Sequence, residues 1–301
     1  MNRRGQGMAL AGATAAISGV AVAINGFGVR AFGDATAYTT AKNLVAGVLL
    51  TGLAMVAVRR RPGAAPRRPT TRGGWLRLTA IAVIGGSVPF VLFFEGLSRA
   101  TAADAAFLHK TLVVWVALLA VPLLGERLGR LQIAAVAVLV AAQLVLVGGL
   151  PELAAGSGEL LILGATLLWS VEVVVAKQVL REITPATVAV ARMGVGSVVL
   201  VAWTVGTRGL GVLTGISATQ AAWALLTGVV LAAYVATWLA ALSRAPAVDV
   251  TAVLVGGAVL TALIDAARGT VVLAPLAPGL LLLLVGVGLA VAGSLRRPAL
   301  S

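Results

Sequence analysis

Seven ionisable residues stand inside or near the ends of long apolar stretches, and they are the groups that can do chemistry: Lys42, Glu95, His109, Lys110, Glu172, Arg192 and Asp265. Charged groups at membrane depth are costly and usually face a cavity or a partner. The lysines are informative. Only three of the 23 cations are lysine, yet Lys42 and Lys110 both lie in apolar stretches. Lysine is a compact charge that can gain and lose its proton once buried, while arginine stays charged. Such positions suit a site that binds an anion or exchanges a proton; pairing with an acid or with helix carbonyls is the structural alternative. Glu172, one turn from Trp169 on the same helix face, suits either proton carriage or a fixed ion pair with Lys42 or Arg192. His109 suits a pH switch or a hydrogen-bonding strut. Tyr38, at i−4 from Lys42, shares its face. Tyr38, Lys42, His109, Lys110, Trp169, Glu172 and Arg192 are therefore the candidate substrate-binding residues. At about 1.5 Å of rise per residue, Lys42, His109 and Lys110 should share one half-cavity with Glu95, and Arg192 should face the other half. Trp115, Trp223 and Trp238 read as packing or interfacial anchors.

The elements that must position these groups follow from composition. The chain has 301 residues, 60% hydrophobic and 11% charged, whereas soluble domains are about a quarter charged. It is read as an integral membrane protein. With no cysteine and one histidine, disulfides and thiol chemistry are excluded, and neither a metal site nor a cofactor is expected. Ten apolar segments are long enough to span: 7–29, 36–58, 76–97, 102–124, 131–149, 158–180, 185–205, 220–243, 248–267 and 273–294. They lack period-two alternation, so the fold is all-α. The N-terminal apolar run is read as an uncleaved first span rather than a signal peptide. Sixteen of the 23 cations fall in alternate connections and termini, including Arg61 and Arg297, against four (Arg30, Arg99, Arg208 and Arg268) on the opposite side. The positive-inside rule puts both termini and the basic 59–77 loop in the cytoplasm. That loop suits anionic headgroups, and nucleic acid is not an expected partner.

Leu97-Ser98-Arg99-Ala100-Thr101-Ala102-Ala103-Asp104 recurs as Leu242-Ser243-Arg244-Ala245-Pro246-Ala247-Val248-Asp249, each matched pair 145 residues apart. Each copy closes one apolar segment and opens the next. The chain is therefore a duplication, with halves 1–150 and 151–301. Five spans is an odd number, so the second half must enter the membrane from the opposite side. The expected architecture is ten transmembrane helices as two inverted five-helix repeats, a recurrent basis of alternating access. Gly256-Gly257 should lie where the repeats meet.

The Leu-Ser-x-Ala-x-Ala turn, the Leu123-Leu124-Gly125-Glu126-Arg127-Leu128 ending of the fourth span, Lys42 and Arg192 in second spans, and Trp169-Ser170 in a repeat-opening span resemble the EamA-type drug/metabolite transporter superfamily. The likeness covers nearly the whole chain. It implies export or exchange of a small metabolite, such as an amino acid, through the inner membrane, with proton coupling as one option. There are departures. The second repeat reads Asp265-Ala266-Ala267-Arg268-Gly269 where the first ends in Gly-Glu-Arg-Leu, the first span has no Trp, and His109-Lys110 replaces an apolar or Pro-containing stretch. No substrate carries over. A lipid-headgroup flippase or a channel of the same design is the alternative; an intramembrane enzyme lacks a nucleophile motif. Cysteines placed at Arg67 and Arg208 in this cysteine-free chain test the topology. An impermeant thiol reagent should label position 208 and spare 67 in intact cells, and the reverse would overturn the assignment.

Overall fold

The protein is described here from a computed structural model, which covers residues 2–60, 67–100, 102–149 and 156–296, with the side chains of 102 and 103 excepted. Arg61, Thr101, Arg297 and the division between 150 and 151 lie outside the described residues. The first half comprises α1 (Arg3–Phe32), α2 (Ala35–Arg60), α3 (Arg72–Ile84), α4 (Val88–Leu97), α5 (Ala102–Lys110), α6 (Leu112–Leu124) and α7 (Arg130–Leu146). The second comprises α8 (Ser157–Val179), α9 (Pro185–Val190), a π turn (Ala191–Val195), α10 (Gly196–Arg208), α11 (Gly211–Thr214), α12 (Ala218–Leu242), α13 (Ala247–Val255), α14 (Gly257–Ala267) and α15 (Leu273–Leu295).

Among the described residues these helices form nine spans long and apolar enough to cross a membrane, and α7 is a shorter apolar helix of 17 residues. The reading of 131–149 as one span overran this helix, because Gly148 and Gly149 take positive φ (83° and 128°) and stop it. Four spans are interrupted near mid-depth. The third breaks at Gly85–Ser87, the fourth at Thr111, the seventh at the π turn and the ninth at Gly256. Thr111 and Gly256 are themselves 145 residues apart, the offset of the repeated octapeptide. Broken helices at membrane depth are tolerated where protein or a cavity re-satisfies the backbone.

The two ends of the bundle are tied differently. At one end Arg3 donates to Ser243 O (3.2 Å), Lys177 Nζ donates to the carbonyls of Leu242 and Ala245 (2.5 and 2.6 Å), and Arg181 donates to Leu124 O (3.2 Å). There too, the Glu126 carboxylate accepts from the N–H groups of Ala247 (2.6 Å) and Val248 (3.2 Å), capping α13 in trans. Burial pushes the Glu126 carboxyl up, and these two N–H groups and the nearby Lys177 pull against that shift. At the other end Arg208 bridges Asp34 (3.0 Å) and Glu95 (3.1 Å), and Arg99 also pairs with Glu95 (3.2 Å). The octapeptide at 242–249 and its copy at 97–104 thus sit at opposite ends.

Packing exchanges the halves. Helix α1 packs on α12, α13 and α14 of the second half, while α8 packs on α3, α4, α5 and α6 of the first. Helices α7 and α15 pair with each other. Small residues make these crossings close. A Cβ on Gly7 would lie 2.8 Å from Ala245 Cβ, and one on Gly158 would lie 2.7 Å from Ala100 N. The first helix of each half therefore seats a glycine under the Arg-Ala pair of the other half's octapeptide. Where α1 meets α14, a Cβ on Gly257 would lie 2.6 Å from Ala15 O. Gly257→Leu should wedge that crossing apart, costing about 1–3 kcal/mol or more by overpacking. Gly12→Leu, on α1 where nothing lies within 4 Å, is the control and should be tolerated. Equal thermal stability of the two variants in detergent would contradict the crossing.

Candidate functional site

Glu172 and Arg192 are 1% and 4% exposed and face each other from α8 and the π turn. Arg192 Nε donates to Glu172 Oε1, and its Nη2 donates to Oε2 at 3.2 Å. Bidentate arginine–carboxylate pairing of this kind is among the stronger polar contacts. The sequence makes room for it. A side chain at Gly85 would collide with the Glu172 carboxyl, and one at Gly86 with the Arg192 carbonyl. Gly196 also meets Gly86, where a Cβ would approach its backbone to 2.8 Å. The break in the third span at Gly85–Gly86 is thus what lets the sixth and seventh spans close on it. The Arg192 guanidinium lies over the rings of Phe90 (5.9 Å) and Trp238 (5.5 Å). Single π turns inside helices often mark functional sites.

Beside this pair lies a cavity of about 210 Å³. Lys42, His109, Trp169, Glu172 and Arg192 line it, drawn from both halves of the chain. Lys42 Nζ donates to Asn25 Oδ1 (3.2 Å) and stands 4.9 and 5.2 Å from the ring centres of Tyr38 and Phe94. No ion pair to Lys42 occurs among the described residues. Tyr38 Oη donates to the same Asn25 oxygen at 2.6 Å. His109 packs edge-on against Phe93 and Trp169, each with centroids 5.2 Å away, and its buried Nδ1 has no hydrogen-bond partner among the described residues.

The structure rearranges several expectations. Lys110 does not join the cavity. It follows His109 on one helix, about 100° round the axis, and enters a separate small crevice with Thr111 and Gln143. Tyr38 does not line the cavity either. It is fully buried against Gly28 and contacts Asn25 and Lys42. Glu95 lies in the Arg208 network at the bundle's end, because only two residues separate it from the end of α4. Lys42 and Arg192 line one cavity, not two half-cavities. Trp238, read as an anchor, lines it as well. Asn25 and Tyr234 were missed, since a search for charge passes over amides and phenols; the signal was an amide inside the apolar run of the first span.

Among the described residues, a two-half helical bundle with nine apolar spans and a shorter apolar helix, built around a partly open cavity with ionisable groups in its lining, defines a multi-pass membrane protein. The chain belongs to the EamA-like transporter family, whose model matches residues 5–148 and 156–292 in two successive copies. These are membrane transporters of the drug/metabolite superfamily, the one the sequence motifs resemble. One solved structure, titled only "Crystal structure of protein", superposes with a TM-score of 0.73 at 18% identity, covering 96% of this chain and 98% of that one. At that identity it speaks for the fold alone. No curated protein matches the sequence.

Removing one partner of a buried ion pair costs roughly 3–5 kcal/mol, because the other charge is stranded. Glu172→Gln and Arg192→Met should each lower thermal stability by that order. The double variant should cost clearly less than the sum of the two. Additive losses in the double-mutant cycle would mean that the two side chains are not coupled.

Proposed function

We propose that the chain is a secondary transporter of a small polar metabolite, working by alternating access as an exporter or exchanger in the inner membrane, with both termini cytoplasmic. The observation that carries this reading is the cavity between the two halves, lined by the buried side chains of Lys42, Glu172 and Arg192. Groups this costly at membrane depth are retained where they meet a solute or a partner. The halves are read as inverted repeats: five spans each, swapped packing of α1 and α8, and the two octapeptides at opposite ends all support it. Proton carriage by Glu172 has less support than a fixed pair, since both its oxygens are held by Arg192.

Alternating access requires each end to open in turn. The Arg208 end is closed by side-chain ion pairs that are 27–42% exposed, and exposed pairs contribute little each. A cysteine at Thr227, which lines the cavity, should react with an impermeant thiol reagent in both right-side-out and inside-out vesicles. A bifunctional thiol linker joining cysteines at Asp34 and Arg208 should remove labelling from that side and keep it from the other. Labelling lost from both sides, or from neither, would overturn the alternating-access reading.

A further inference from the structure

Among the described residues the cavity's lining holds two basic side chains, Lys42 and Arg192, and a single carboxylate, Glu172. Arg192 is consumed. Its guanidinium is locked to Glu172 and lies over two aromatic rings. Lys42 is not, since its one hydrogen-bond acceptor is the neutral oxygen of Asn25. The Asn25 amide has a defined sense as well. Its Oδ1 accepts from both Tyr38 and Lys42, so its other terminus is the NH₂ group, which has no partner among the described residues. Lys42 and Asn25 therefore offer donors that no described acceptor takes up, beside the unpartnered His109 Nδ1. A free carboxylate is missing. Both Glu172 oxygens are engaged by Arg192, no other carboxylate lines the cavity among the described residues, and the hydroxyls of Ser18, Thr227, Thr251 and Tyr234 leave only neutral oxygens as acceptors. Trp169, Phe90, Tyr234 and Trp238 supply flat apolar walls to the rest of the cavity.

We infer that this cavity takes a small organic monoanion: a carboxylate seated on Lys42 and Asn25, carried on an uncharged, ring-compatible body against the aromatic walls. The inference rests on the transporter reading and narrows it, and it moves away from an amino acid, whose ammonium would find no free carboxylate. One uncompensated cation matches one negative charge, so a dianion would leave a charge without a partner. The aromatic faces can stack on a planar body or hold an aliphatic one.

The test is equilibrium binding to the purified protein in detergent at one fixed pH, read by tryptophan fluorescence and calorimetry. The probes are 3-phenylpropionate, 3-phenylpropanol, phenethylamine and phenylalanine, which share a body and differ in charge. 3-Phenylpropionate should bind at least about tenfold more tightly than the other three, the equivalent of one charge-assisted hydrogen bond. Lys42→Met, checked for unchanged thermal stability, should erase that preference and leave the weak binding of the alcohol. Asn25→Asp, which neutralises Lys42 by a carboxylate, should remove the preference without deleting the lysine. Equal or tighter binding of the amine or the zwitterion, a preference that survives both variants, or no binding of the acid would each overturn the inference. Vesicle labelling at Thr227 reports on alternating access without any probe, so the two readings fail separately.

Discussion

The buried ion pair between Glu172 and Arg192 is the constraint on which the centre of the molecule depends. Two charges taken out of water must recover their hydration from each other, and only close, well-aligned contact does so. Bringing α8 and the seventh span that close leaves no volume for side chains on the third span at the crossing. Gly85 and Gly86 meet that demand, and the backbone there departs from regular helix before Ser87, whose hydroxyl donates to the carbonyls of Ala82 and Val83 at 3.3 and 3.0 Å. The π turn at 191–195 is the matching distortion on the other side. One electrostatic requirement thus accounts for two helix irregularities and for the side chains that flank them.

The same pair decides the character of the cavity. Lys42 and Arg192 occupy equivalent second spans of the two halves, yet their surroundings have diverged. Arg192 has a carboxylate on the facing α8, and its planar fork suits two parallel bonds. Lys42 meets an amide on α1 and two aromatic rings instead. A cation against rings and an amide is stabilised without being neutralised. Of these two basic side chains, only Arg192 is paired with a carboxylate among the described residues.

The fold was legible because membrane burial writes itself into composition and span length, and because Leu97–Asp104 and Leu242–Asp249 exposed the duplication. The site was legible in part. Lys42, His109, Trp169, Glu172 and Arg192 reach one cavity because an ionisable group in an apolar run has few other places to go. Lys110 misled, since adjacency in sequence to His109 means different faces on a helix. Depth reckoning failed for Lys42 and Arg192, because distance from an end does not report the lateral position at which spans converge. Asn25 carried no charge signal, and its importance comes from a hydrogen-bond pattern that only three-dimensional proximity to Tyr38 and Lys42 creates.

Why the octapeptide stayed recognisable in both copies, while the span endings around Glu126 and Asp265 drifted apart, follows from what each segment touches. Each copy rests its Arg-Ala pair on a glycine of the other half's first helix, Gly7 below Arg244–Ala245 and Gly158 below Arg99–Ala100. That seat is the same at both ends, so both copies face the same steric demand. The ending at Glu126 meets a different contact: it caps α13 through Ala247 and Val248. Its counterpart region instead pairs Asp265 with Arg268 at 3.2 Å within its own turn. The glycine seat is thus common to both copies, while the Glu126 cap and the Asp265–Arg268 pair are contacts in which the two span endings differ among the described residues.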